Sequence, residues 1–301
     1  MVVRLDCAIQ SRVHNNYYIN IAIPGVHMND VSIITNALGR FANNMRLYGE
    51  AFLRYRGLVE VDREEAIHNL DRAFEQSLEG FHTLYDVSQG VFDFHAHADT
   101  SLLIAVRNAL HHRDHPLFHS LLQTLWLDEE PQRLLGAEYL LARHRTLGGN
   151  PPPMMHLIKL EDIYNRLDPR CGSIYMNQMG KANSLPRFIT MEDAFAFEKI
   201  HAKALRDRYP MKQVYLDLMP IFNSAVSKVF TALDLVGVPF QGFDAGAYKS
   251  TFTEELKTDL KHYDFFGLRM SAIQIELGPR FTIQQASINR GCTYEKVMAN
   301  E

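Results

Sequence analysis

Val31, Ile34, Leu38, Phe41, Met45, Tyr48, Phe52 and Tyr55 recur at alternating spacings of three and four. That periodicity puts them on one stripe of a long helix. Asp62, followed three residues later by Glu65, has the spacing of a capping box with Asp in place of the usual Ser or Thr. Ile67, Leu70, Phe74, Leu78, Phe81 and Tyr85 then continue the pattern to a stop near Gly90. Two such helices across a short polar turn pack most easily antiparallel. A third helix over 100–112 carries Leu102, Leu103, Val106, Ala109 and Leu110 on one face, with Asp99 or Thr100 as its N-cap, and Pro116 ends or bends it.

Shorter helical candidates occupy 117–145. Gly148-Gly149-Asn150-Pro151-Pro152-Pro153 is the strongest break in the chain. It divides an N-terminal strand segment (1–28) and a helical bundle (29–147) from a C-terminal region (154–301) expected to pack on the bundle. Residues 171–187, rich in Gly, Asn, Ser and Pro, have the character of an ordered loop. Helices are predicted over 191–206, over 211–236 with a kink at Pro220, and over 249–263. A short strand over 16–24 and a late hairpin, where Ile273, Ile275 and Leu277 alternate before Gly278-Pro279, supply strands from both ends. The expected class is therefore mainly α: a helical bundle with additional C-terminal helices and a small β component.

With 301 residues, 47% of them apolar, the chain can bury a sizeable core. A net charge of -4 argues against a general nucleic-acid coat and confines any RNA contact to a local cleft. Cys7, Cys171 and Cys292 have neither metal-ligand nor redox spacing. Residues 1–10 lack the apolar stretch of a signal peptide, and no run of about twenty apolar residues occurs. The expectation is a cytoplasmic protein that neither is exported nor crosses a membrane. No Walker loop and no glycine-rich dinucleotide fingerprint is present, so no cofactor is expected.

Chemistry concentrates in Arg107-Asn108-Ala109-Leu110-His111-His112, at the end of the third helix. Guanidinium binds phosphate oxygens bidentately and imidazole moves protons near neutral pH, which together suit metal-independent cleavage of RNA through its own 2′-hydroxyl. Arg63 to His68 and Arg113 to His119 repeat the loose spacing, but only Arg107 is followed by Asn within such a helical context. The segment resembles the signature of the HEPN (higher eukaryotes and prokaryotes nucleotide-binding) family, an Arg, a polar residue and then a His after four to six intervening positions. The resemblance covers 29 to about 145. It implies a HEPN-like bundle and an endoribonuclease of toxin or phage-defence type, with an RNA substrate, a homodimer joining two motifs, and a cognate antitoxin or defence-system partner. Arg107 and His112 would be catalytic, with Asn108 and His111 in support. Residues five apart on a regular helix lie about 140° from each other. Either the helix deforms before His112, or His111, which shares a face with Arg107, takes part.

Four other readings stand beside this one. The first is a HEPN-like protein that binds RNA, nucleotide or a protein partner without cleaving it. His95 and His97, two apart, would both point one way from a strand, as in the first-strand motif of amidohydrolase-type metal enzymes, although those need a barrel that this pattern lacks. His111, Asp114, His115 and His119 offer a weaker metal grouping. The structural alternative pairs Arg107 with a carboxylate, Asp99 or Asp114, and leaves the histidines solvated at a helix end. Trp126 and the aromatic series from Phe41 to Phe81 have the pattern of core packing.

Overall fold

The computed structural model describes residues 28–112, 116–148, 153–176, 181–242, 244–276 and 282–291. The strand predicted over 16–24 lies outside them. Helix α1 (Met28–Leu58) and helix α2 (Arg63–Ser88) form the expected antiparallel hairpin. Asp62 caps α2 by accepting the Glu65 N–H at 2.9 Å. The facing stripes interlock: Phe41 packs edge-on against Phe81, and Tyr48 tilts against Phe74. Closeness here depends on Gly80, where a Cβ would stand 3.3 Å from the Phe41 Cα and 2.8 Å from the Asn44 amide nitrogen. After a 3-10 turn at Phe94–Ala96, α3 (Ala98–His112) packs on α2.

The remainder is built on one sheet. Strands β1 (Glu138–Gly148), β2 (Leu157–Lys159), β3 (Val214–Asp217), β4 (Lys257–Glu276) and β5 (Thr282–Gly291) stand in the order β2-β3-β1-β4-β5. Only β1 and β3 run parallel among these pairs. A short α4 (Leu121–Gln123) precedes β1. Helices α5 (Leu160–Leu167), α6 (Lys181–Phe195) and α7 (Phe197–Arg206) lie between β2 and β3, while α8 (Met219–Leu235) and α9 (Ala245–Ser250) follow β3. The chain is mainly helical, as the periodicity indicated.

Several predicted elements are corrected. Residues 138–148, which overlap the end of the span of short helical candidates over 117–145, are strand β1. Its run Tyr139-Leu140-Leu141-Ala142 is buried on both faces: Leu140 and Ala142 enter the main core, and Tyr139 and Leu141 enter a second cluster with Leu121, Leu125, Tyr215 and Leu268. A strand buried on both sides loses the alternation that would betray it. The helix predicted over 211–236 is strand β3 followed by α8, and Pro220 lies in the first turn of α8, where its missing N–H costs nothing, so no kink is required. The helix over 249–263 stops early because β4 pairs with β1 from Gly148↔Lys257 to Glu138↔Arg269. Helix α6 starts within the segment predicted as a loop over 171–187. The late hairpin is present as β4 and β5, with far longer strands than its sequence signal. The sheet thus draws on the middle of the chain as well as its end. The Gly/Pro break falls between β1 and β2 of that same sheet, and one buried cluster joins Ile34 and Val106 to Leu140, Phe230 and Tyr263.

Candidate functional site

Arg107, Asn108 and His111 come together on α3 because positions four apart share a helical face. Glu79 on α2 faces them and organises the group. Its Oε2 accepts from Arg107 Nε at 3.0 Å and Nη2 at 2.6 Å, while its Oε1 lies 3.3 Å from His111 Nδ1. Arg107 Nη1 donates to Asn108 Oδ1 at 3.1 Å. These contacts engage three of the five guanidinium N–H groups. The cluster walls an open groove of about 330 Å³ together with Arg72, Gln76 and Leu110. The Arg107 side chain is largely covered, whereas that of His111 is more than half exposed. His112 closes α3, and its side chain lies outside the described residues. His82, one turn beyond Glu79 on α2, is held below the ordinary imidazole range by burial and by the nearby Arg107.

The carboxylate partner of Arg107 is therefore Glu79. Asp99 is instead fully buried at the start of α3, where it accepts from Ser224 Oγ and Lys228 Nζ, both at 2.6 Å, and ties α3 to α8. Asp114 and His115 lie outside the described residues. The pair His95 and His97 is on no strand: Asp93 caps the tight turn by accepting the His95 and Ala96 N–H groups, His95 Nε2 meets the Tyr85 hydroxyl at 3.2 Å, and His97 stacks on Phe92. Their side chains thus have separate partners, which removes the geometric basis of the His-x-His reading. Among the described residues no three His, Cys, Asp or Glu side chains gather as a metal ion would require. Arg63 of the first repeated spacing lies over the Trp126 ring at 4.0 Å. His119 of the second is bound to Asp128 at 2.7 Å.

Next to the groove is a polar pocket that the motif search did not find. It measures about 300 Å³ and shares Arg72, Glu75 and Leu110 with the groove, so the two form one cleft along α2 and the end of α3. Asp71, buried on the apolar stripe of α2, accepts from Ser120 Oγ at 2.7 Å, and its Oδ1 has no partner among the described residues. Burial pushes its carboxyl up to about 7, against the Ser120 hydrogen bond. His156 lies buried at the back, stacked on Phe74 at 3.7 Å, and burial drives its imidazole down to about 3, so the ring is neutral at physiological pH.

The local fold explains these placements. Phe118 adopts the left-handed region (φ 66) with its side chain in the core, and its N–H donates to the buried Asp162 at 2.8 Å. A conformation of this kind costs about 1–3 kcal/mol and persists only where surroundings impose it. It turns Ser120 toward Asp71 and lets Ser120 bridge to Ile158 of β2. Asp217, at the end of β3, fixes His156 by accepting its N–H at 3.1 Å together with that of Met219 at 3.0 Å, and Arg143 Nε stands 3.3 Å from its other oxygen. Burial raises Asp217 to about 6 even with Arg143 opposing.

Two of these residues left a mark in the sequence. Asp71 interrupts the stripe of Ile67, Leu70 and Phe74, and Asp217 interrupts the apolar run 214–219. Ser120 and His156 left none, since neither stands in a recognisable spacing. Among the described residues no helix is long and apolar enough to cross a membrane. Compared with protein-family models, with curated proteins and with solved structures, the chain matches none of them.

Proposed function

We propose that this chain is a metal-independent endoribonuclease of the HEPN kind, acting at the groove between α2 and α3. The observation that carries the reading is the joint anchoring of Arg107 and His111 by Glu79 on the wall of an open groove. An oriented guanidinium with N–H groups to spare suits the non-bridging oxygens of a phosphodiester. Imidazole takes the proton of the ribose 2′-hydroxyl as the O2′–P bond forms. The P–O5′ bond breaks, and the departing 5′-oxygen receives a proton, leaving a 2′,3′-cyclic phosphate and a 5′-hydroxyl. Within one chain His111, linked to Arg107 through Glu79, is the geometrically favoured base. His112 is the residue named by the family pattern, and in a homodimer it would act across the interface.

The test is cleavage of RNA by the full chain in excess chelator. Arg107→Ala should abolish it, and loss of the true base should lower the rate by about 10²- to 10⁴-fold. His111→Ala and His112→Ala distinguish the two histidines, with circular dichroism confirming the fold and sedimentation giving the oligomeric state. Cleavage retained by Arg107→Ala would overturn the reading. A second reading, RNA binding without cleavage, is favoured by one observation: the Glu79 carboxylate offsets the Arg107 charge that would stabilise the transition state. Retained RNA binding with no cleavage by the intact protein would select it.

A further inference from the structure

Beyond the Arg107 groove, the polar pocket is too elaborate to be only a wall of the core. His156, Asp71, Ser120 and Gln123 all line it, with Leu110 on the wall it shares with the groove. The His156 ring is more than nine-tenths buried, stacks on Phe74 and is pinned by its backbone to Asp217. Asp71 Oδ1 is buried without a hydrogen-bond partner among the described residues, and such an atom forfeits the hydrogen bonds it made to water. A neutral imidazole offers one donor and one acceptor, while the Gln123 amide nitrogen is turned to Asp128 Oδ1 at 3.3 Å and His119 Nδ1 at 3.2 Å, which leaves its carbonyl oxygen as the acceptor it can present. The apolar side walls are Leu110, Leu117 and Phe118.

This arrangement selects a ligand by exclusion. The Asp71 carboxyl disfavours an anion inside the pocket, and the apolar walls disfavour a compact cation. What fits is an uncharged, flat group with donors and acceptors round its edge. Arg72 lines the wall that the pocket shares with the groove, beside Glu75, and Arg107 lines the groove beyond it. A nucleotide within an RNA strand has the same division, with a neutral base on an anionic backbone.

We propose that the pocket bounded by His156, Asp71, Ser120 and Gln123 is a base-selecting subsite, which receives the nucleobase next to the phosphate held at Arg107. The proposal rests on the reading of the groove as an RNA-cleaving site and adds sequence selectivity to it. Gln123 and His156 touch the base edge, while Phe118, held in its left-handed turn, gives the pocket its shape.

The experiment measures binding of four short RNAs, differing at a single base beside a non-cleavable 2′-deoxy linkage, to the full chain and to its Gln123→Ala, His156→Ala and Arg107→Ala variants. The intact protein should rank the four bases by at least roughly tenfold, the worth of a well-placed hydrogen bond. Gln123→Ala and His156→Ala should flatten that ranking, and Arg107→Ala should weaken all four alike with the ranking kept. Gln123 is partly exposed, so its variant answers the question even where His156→Ala fails to fold. Equal affinities for the four RNAs, no binding to any of them, or a ranking unchanged in Gln123→Ala would overturn the subsite. Cleavage without base preference would retain the ribonuclease and remove the subsite. Base-ranked binding with no cleavage of the all-ribose RNAs would do the reverse.

Discussion

Replacing Asp71 by Asn should make the protein more stable at pH 8 and change little at pH 4. In the folded state burial lifts the Asp71 carboxyl from its ordinary 3.8 to about 7. The folded protein therefore binds a proton that the unfolded chain has released across this interval, and stability falls as pH rises. The favourable contribution is complete below about 4 and is lost as pH passes through 7. A tenfold difference in proton affinity is worth about 1.4 kcal/mol, so the difference in this case has a ceiling of about 4 kcal/mol. Asn carries no such cost and still offers an oxygen to Ser120 Oγ. It also brings an amide N–H₂ toward the place of the unpartnered Oδ1, which offsets part of the gain. A net stabilisation of about 1–3 kcal/mol at pH 8 is expected. Urea denaturation of both proteins from pH 4 to pH 8 measures it as the difference in unfolding free energy. His156 contributes with the opposite sign, since an imidazole driven down to about 3 adds stability as pH rises from 3 to 6.5. That contribution is common to both proteins and cancels in the difference. A difference that is flat with pH, or that grows in favour of Asp71, would refute the reasoning.

Three further outcomes follow from the packing and the site. Gly80→Ala should destabilise the α1–α2 hairpin by about 1–2 kcal/mol, because overpacking against Phe41 and Asn44 outweighs the gain in helix propensity. Gly49→Ala, with nothing within 4 Å of the new Cβ, should stabilise by up to about 1 kcal/mol, and equal effects in thermal denaturation would contradict the close approach. Asp217→Ala should cost about 2–4 kcal/mol, since it takes the acceptor from two buried backbone N–H groups and the facing carboxylate from Arg143; Asp217→Asn keeps an acceptor for both N–H groups and should cost less, and a urea midpoint for the Ala variant close to that of the intact protein would contradict this role. Glu79→Gln leaves the Arg107 charge uncompensated, so RNA binding should tighten and depend more steeply on salt, while loss of orientation at His111 lowers kcat. Unchanged salt dependence would mean that Arg107 does not face the backbone.

The helical part of the fold was legible because its helices are amphipathic: a surface helix must hide one stripe, and the stripe of α1 or α2 is long enough to count. The sheet was obscured for the opposite reason. Tyr139, Leu140, Leu141 and Ala142 are all buried, as are Val214, Tyr215, Leu216 and Asp217, so neither strand shows the alternation of a half-exposed one. Leu218 and Met219 carry the same apolar character from β3 into α8, which merged strand and helix into one apparent element. In 249–263, strand pairing with β1 overrides a local preference that periodicity alone could not weigh.

The candidate site divides along the same line. Arg107, Asn108 and His111 are neighbours in sequence, and helix geometry alone brings them together. Their partner Glu79 is on another helix at a position marked by no motif, so the sequence offered only the nearby Asp99 or Asp114 as a carboxylate for Arg107, and the structure commits Asp99 to Lys228. The pocket is harder still, for it joins α2, the Phe118 turn and the strand-end segment at His156, three places whose proximity depends on the sheet that the periodicity concealed. Asp71 is the exception: a carboxylate on the apolar stripe of a long amphipathic helix must either surface or find a buried partner. Ser120 supplies that partner to one of its two oxygens. A polar residue out of phase with its own helix is thus a sharper pointer to a site than another His at the permitted spacing, because the energetic cost of burying it demands a physical explanation.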